Sequence, residues 1–161
     1  MLKFSLIGAG LVAITVAIHA FGTMAWIRII AAQQERGSGN WRLQNPLRLL
    51  IGTALVLIGL HFLQISIWAI TYVYVLPEGV LDNIEAAVYF SFVTFTTLGY
   101  GDITLTEGWR LLSGIEAMNG ILLVGWSTAI LFAVVQRTWT GAANKMRNTK
   151  TSASNDKRNF R

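Results

Sequence analysis

Residues 96–102 read Thr-Thr-Leu-Gly-Tyr-Gly-Asp, a run of small and polar residues set between apolar stretches. Aiming successive backbone carbonyls to one side of a chain requires alternating conformations, some with positive φ. Gly99 and Gly101 can adopt these because they carry no Cβ. Glu116 is a second group of interest, a carboxyl inside a long apolar stretch. A carboxylate in that setting must be paired, wetted or protonated, and such groups are functional candidates by default. His61, Gln64 and Trp68 fall at i, i+3 and i+7 on one helical stripe, and His19 lies at similar depth in a neighbouring stretch. Two histidines without a carboxylate at that depth make a poor metal set, so interhelical hydrogen bonding is the expectation. The chain has no cysteine, which excludes disulfides and thiol chemistry, and it carries no Ser-His-Asp set. No enzymatic activity, cofactor or small-molecule substrate is expected.

The elements around these residues are those of a membrane protein. The chain has 161 residues, 53% hydrophobic and 13% charged, against about a quarter charged in soluble domains. Three apolar stretches, 5–30, 47–76 and 111–136, are long enough to cross a bilayer, which takes about 20 helical residues. A fourth, 84–95, has roughly half that length and reads as a re-entrant or buried segment. Asp82-Asn83-Ile84-Glu85 is an acidic capping box that starts it, with Asp82 as N-cap. Lys3 followed by an apolar run resembles a signal peptide, yet the run continues through Phe21, Met24, Trp26 and Ile30, so a retained helix is expected.

Net charge is +5, and the position of the charge argues against nucleic acid as a partner. Arg28, Arg36, Arg42 and Arg48 lie in or beside the first loop, and Arg137, Lys145, Arg147, Lys150, Lys157, Arg158 and Arg161 follow the third span. The positive-inside rule puts both regions in the cytoplasm. Between Glu78 and Trp109 the charges are Glu78, Asp82, Glu85, Asp102 and Glu107, with no Lys or Arg. That loop is expected outside, the N-terminus outside and the C-terminus cytoplasmic. An acidic vestibule of this kind attracts cations.

The run at 96–102, placed between two spans and behind a half-length helix, resembles the signature sequence of potassium channels. Leu98 stands where Val is usual. The resemblance covers residues 60–135. It implies an all-α membrane protein in which four copies surround one pore, since one loop per chain cannot enclose an ion. It assigns the carbonyls of Thr97, Leu98, Gly99 and Tyr100, with the Thr97 hydroxyl, as K+ ligands within a filter at 97–101 ending in Gly101. Thr96 and Asp102 would support the filter and its vestibule, and the Leu98 and Tyr100 side chains would point away from the ions. The expected product is a homotetramer in the plasma membrane, surrounded by lipid, that conducts K+ passively.

On this reading residues 1–46 are an extra helix and a basic loop, and 47–137 are the pore domain. The pore domain divides into an outer helix at 47–76, a pore helix at 82–96, the filter, and an inner helix at 110–137. Residues 138–161 are a basic tail expected to be disordered. Gly120 falls where many members place a hinge glycine, with close packing against the pore helix as the other reading. Ile121, Val124 and Thr128 would face the cavity. Glu116 lies one turn from Gly120, toward Ser91 and Thr94. Some members brace the filter with a pore-helix Glu where this chain has Val93, and Glu116 is read either as a partial replacement or as packing. No span carries Arg or Lys at every third position, so a voltage sensor is not expected. The rival classes are a potassium uptake transporter, which normally holds four pore repeats in one longer chain, and a non-conducting scaffold.

Overall fold

The structure is a computed structural model that describes residues 2–36, 46–77, 80–81, 83–106 and 109–159. It contains α1 (Leu2–Arg36), α2 (Pro46–Val75), α3 (Ile84–Phe95) and α4 (Arg110–Asn159). Three of them are long and apolar enough to cross a membrane, over Leu2–Ala32, Leu47–Val75 and Arg110–Thr140, and α3 is the short apolar helix between. The protein is thus an all-helical, multi-pass membrane protein.

The long helices are apolar on all sides, so hydrophobicity alone does not decide which face turns inward. Small and polar side chains do. On α1 the buried stripe is Gly8, Leu11, Thr15, His19 and Thr23, at helical spacing. On α2 it runs Thr53, Leu57, Gln64, Trp68 and Tyr72, and on α4 it runs Leu112, Glu116, Asn119, Leu123 and Ser127. Large apolar residues such as Leu55, Phe62, Met118 and Phe132 stay exposed, as side chains facing lipid do.

Contacts fix the relative directions. Trp26 Nε1 donates to Thr53 Oγ1 at 3.1 Å, and a Cβ on Gly22 would meet Leu60, so α1 runs antiparallel to α2. The Phe4 and Trp109 rings meet tilted with centroids 4.3 Å apart, and Gly8 faces Ile115, so α1 runs parallel to α4. Trp26 and Trp109 therefore serve interhelical contacts as well as span ends, whereas Trp139 is exposed. The short α3 buries Ala87, Phe90, Ser91 and Phe95 against α2 and α4. Tyr72 and Phe90 meet edge to face at 5.2 Å.

Two expectations need correction. α4 does not stop at 137 but continues as helix to Asn159, through the tail expected to be disordered. No proline interrupts the sequence there, and Ala, Lys, Met and Arg favour helix, so a helix already nucleated by the span propagates. The N-cap of α3 is Asn83, not Asp82: its side chain accepts from Ala86 N at 2.9 Å. Asp82 itself lies outside the described residues, as do Glu78, Glu107 and the loop residues 37–45.

Gly120 marks the tightest helix crossing. A Cβ there would overlap the Phe95 carbonyl oxygen and come within 2.8 Å of its carbon. Both are backbone atoms at the end of α3, so nothing can swing aside. This contact realises the close-packing reading, and α4 is continuous through Gly120. Gly120→Ala should lower stability by about 1–3 kcal/mol, as overpacking does. Gly114→Ala, with nothing within 4 Å of its Cβ, is the control. Thermal unfolding of the solubilised protein reads both.

Candidate functional site

The chain leaves α3 through a tight reversal. Thr96 N bonds Phe92 O at 3.1 Å, and Thr97 N bonds Thr94 O at 2.9 Å. The next two amides converge on one acceptor: Leu98 N and Gly99 N lie 2.9 and 3.3 Å from Val93 O. The peptide bonds of this segment are trans, so each C=O points opposite to the N–H of its own peptide unit. The carbonyls of Thr97 and Leu98 are thereby turned away from α3.

The backbone dihedrals continue the pattern. Positive φ occurs at Thr97 (59°), Gly99 (53°) and Gly101 (80°), every second residue. With the Leu98 and Gly99 amides held on Val93 O, this alternation leaves the carbonyls of Thr97 and Leu98 on one edge of the segment. The two glycines are where the sequence puts them. Thr97 is the surprise, because a β-branched residue in the left-handed region is a genuine outlier that costs about 1–3 kcal/mol. The hydrogen bonds to Thr94 and Val93 on either side of it hold that conformation. Its signal in the sequence is only positional: it stands two residues before Gly99 in the same alternation.

Around this row, the Thr96 hydroxyl donates to Phe92 O at 2.7 Å. Leu98 and Tyr100 turn their side chains outward, 56% and 68% exposed. With Ile84, Val88, Tyr89 and Val93 they line an open groove of about 580 Å³ along α3. Asp102 is tied back to α3 by Tyr89, whose hydroxyl donates to Oδ2 at 2.7 Å. That bond holds the Asp102 carboxyl below its ordinary value of 3.8.

Behind the row, Glu116 is fully buried and accepts from the Tyr72 hydroxyl at 2.7 Å through Oε2. The Ser91 hydroxyl interacts with the same carboxyl, yet Ser91 Oγ and Glu116 Oε1 are both buried without a closed hydrogen bond. Of the two hydroxyls expected near Glu116, Ser91 is there, and Tyr72 replaces Thr94 as hydrogen-bond donor. Tyr72 was legible as the next turn of the His61–Gln64–Trp68 stripe. Ile121, Val124 and Thr128 share an exposed face of α4, and Thr128 Oγ1 folds back onto Val124 O at 2.9 Å.

The stripe on α2 does make interhelical hydrogen bonds. His61 contacts Ser127 at 2.9 Å, and Gln64 contacts His19 at 3.1 Å. Trp68 is buried without a partner for its Nε1. Ser127, Asn119 and Thr15 belong to the same polar layer and were not foreseen. Among the described residues no group of three metal-ligating side chains occurs.

A family model described as an ion channel matches residues 58–137, which span α2 from Ile58, the whole of α3, the reversal at 96–102 and α4 to Arg137. Through these residues the chain belongs to that ion-channel family. No curated protein and no solved structure gives a significant match. The α1 helix precedes the matched region and packs on it through α2 and α4.

The Tyr89–Asp102 bond yields a pH prediction. A carboxyl with a depressed pKa contributes order above its ordinary value and loses it as pH falls through the lower, native one. Tyr89→Phe should raise the Asp102 pKa toward 3.8. NMR titration of the Asp102 carboxyl reads the shift, and an unchanged value would mean that Tyr89 does not set it.

Proposed function

We propose that the chain is the subunit of a potassium-selective channel in which four copies set their 97–101 segments around one axis. The carrying observation is positive φ at every second residue, Thr97, Gly99 and Gly101, with the Leu98 and Gly99 amides tied back to Val93, an alternation that supports a row of carbonyls along one edge. A K+ ion entering such a ring exchanges its hydration shell for carbonyl oxygens of Thr97, Leu98, Gly99 and Tyr100, with the Thr97 hydroxyl at the inner end. Gly101 turns the chain out of the ring, and Asp102, pinned by Tyr89, keeps a carboxylate beside the mouth.

The groove along α3 supports assembly. It is open and largely apolar, with Glu85 the one charged residue in its lining, and it includes the two filter side chains that a lone chain leaves exposed. A neighbouring subunit is its occupant in this reading, and a closed ring of copies fills all such grooves at once. The end of α3 would aim its partial negative charge at the cavity below the filter, favouring a cation there. Ile121, Val124 and Thr128 then line that cavity, and Gly120 keeps the inner helix against α3. The arginine distribution orients the molecule in the cell membrane with its N-terminus outside and its C-terminus cytoplasmic.

Two measurements test the reading. Protein reconstituted in liposomes should give a reversal potential that follows the K+ gradient in mixed K+ and Na+, and the solubilised complex should have the mass of a tetramer. Equal permeability to both ions, or a conducting monomer or dimer, would falsify it. Glu116 is the filter-bracing group in this proposal, acting through Tyr72 and Ser91. Glu116→Ala should change open-state lifetime or inactivation in single-channel records while the tetramer persists. Glu116→Gln should be milder, because Gln accepts from Tyr72 through oxygen and donates to Ser91 through nitrogen. Unchanged gating in both variants assigns Glu116 to packing.

A further inference from the structure

Four side chains from three helices close into one hydrogen-bonded circuit. Gln64 Nε2 meets His19 Nδ1 at 3.1 Å, and His19 Nε2 meets Ser127 Oγ at 3.3 Å. Ser127 Oγ meets His61 Nε2 at 2.9 Å, and His61 Nδ1 meets Gln64 Oε1 at 3.1 Å. Donor counting places the protons. Gln64 Nε2 also donates to the Thr15 carbonyl at 3.4 Å, which turns the amide nitrogen toward α1 and its oxygen toward His61. An amide NH2 only donates, so His19 Nδ1 accepts and the His19 proton sits on Nε2, facing Ser127. The Ser127 proton then goes to His61 Nε2, and His61 carries its own on Nδ1, facing Gln64. Each donor finds its acceptor while both rings are neutral and of opposite tautomer.

The circuit sits where α1 meets the channel core. The His61 ring lies 5.9 Å from that of Phe95, the last residue of α3. Asn119 Nδ2 donates to Thr15 Oγ1 at 2.8 Å, so α1 is tied to α4 at Asn119 and at Ser127, on either side of Gly120. We propose that this circuit is a proton-sensitive latch that ties α1 to the two spans flanking the filter. A proton added to His19 sets an Nδ1–H against the Gln64 NH2, donor against donor. One added to His61 drives the Ser127 proton off Nε2. Turning the Gln64 amide over does not restore the circuit, because its oxygen would then face the Thr15 carbonyl.

No carboxylate among the described residues faces the circuit to offset a charge there. Each histidine faces the other, with ring centroids 5.4 Å apart. On α2 and α4, Tyr72 and Glu116 are bonded to one another. From α3 the circuit meets the Phe95 ring, while Glu85 lies in the first turn of that helix and Tyr89, at mid-helix, gives its hydroxyl to Asp102. Lys3, Arg28, Arg48, Arg110 and Arg137 lie toward span ends. A charged ring is therefore uncompensated in an apolar setting, and releasing α1 is the way to wet it. Only the bearing of the latch on conduction rests on the channel reading; the latch itself does not.

These are the chain's two histidines, so ¹⁵N-histidine labelling of the full chain in lipid bilayers reports on the circuit directly. At about pH 8 solid-state NMR should find one Nε2–H and one Nδ1–H ring, and both patterns should vanish together on acidification, at a pH displaced below the ordinary imidazole value of about 6.5. Over the same range the melting temperature should fall by several degrees, and His19→Gln/His61→Gln protein should lose that fall. Two rings of the same tautomer, or a pH response retained in full by the double variant, overturns the latch. The NMR arm uses the unaltered protein, so a variant that fails to fold does not decide the question. None of these readouts uses ion flux, so failed conduction in the same preparation counts against the channel reading alone.

Discussion

Val93 O receives two amides, Leu98 N and Gly99 N, and that shared acceptor governs the rest of the site. Backbone that is not helical is tolerated at membrane depth only where protein or water satisfies it. Here the amides of Thr97, Leu98 and Gly99 are satisfied by the last turn of α3, which leaves the Thr97 and Leu98 carbonyls facing the other way. The price is a left-handed Thr97, held by bonds on both sides of it. A loop of this kind keeps its shape only if α3 is itself immobile.

Each neighbour contributes to holding α3. α4 approaches so closely at Gly120 that the Phe95 carbonyl occupies the space of a side chain. α2 lays Tyr72 against Phe90 and sends its hydroxyl to Glu116, so one buried carboxyl joins α2 and α4 beside Ser91 of α3. On the far side of the segment Tyr89 and Asp102 tie the exit of the loop to the middle of the same helix. The α1 helix completes the arrangement through polar contacts to α2 and α4, since hydrophobicity supplies little preference between helices in lipid.

Much of this was legible in the sequence, for physical reasons. Span length is set by bilayer thickness, so three spans and one half-length helix could be read by counting. Positive φ at Gly99 and Gly101 followed from the absence of a Cβ. Interhelical hydrogen bonding by His61 and Gln64 followed from the cost of leaving them bare in an apolar medium. The N-cap of α3 was misplaced by one residue, because Asp82 and Asn83 are both good caps and propensity does not rank neighbours. The tail was read as disordered from composition, which says nothing about a helix already running into it from α4.

What the sequence alone determined was the class of each element and the chemistry available to it. The tertiary structure decided the partners. That Glu116 meets Tyr72, that Asn119 reaches Thr15 and that Ser127 joins two histidines depend on the rotation of one helix about its axis relative to another. A chain apolar on every face carries no period that reports this rotation. It is fixed only when the small and polar side chains of three helices find one arrangement that pairs nearly all of them at once.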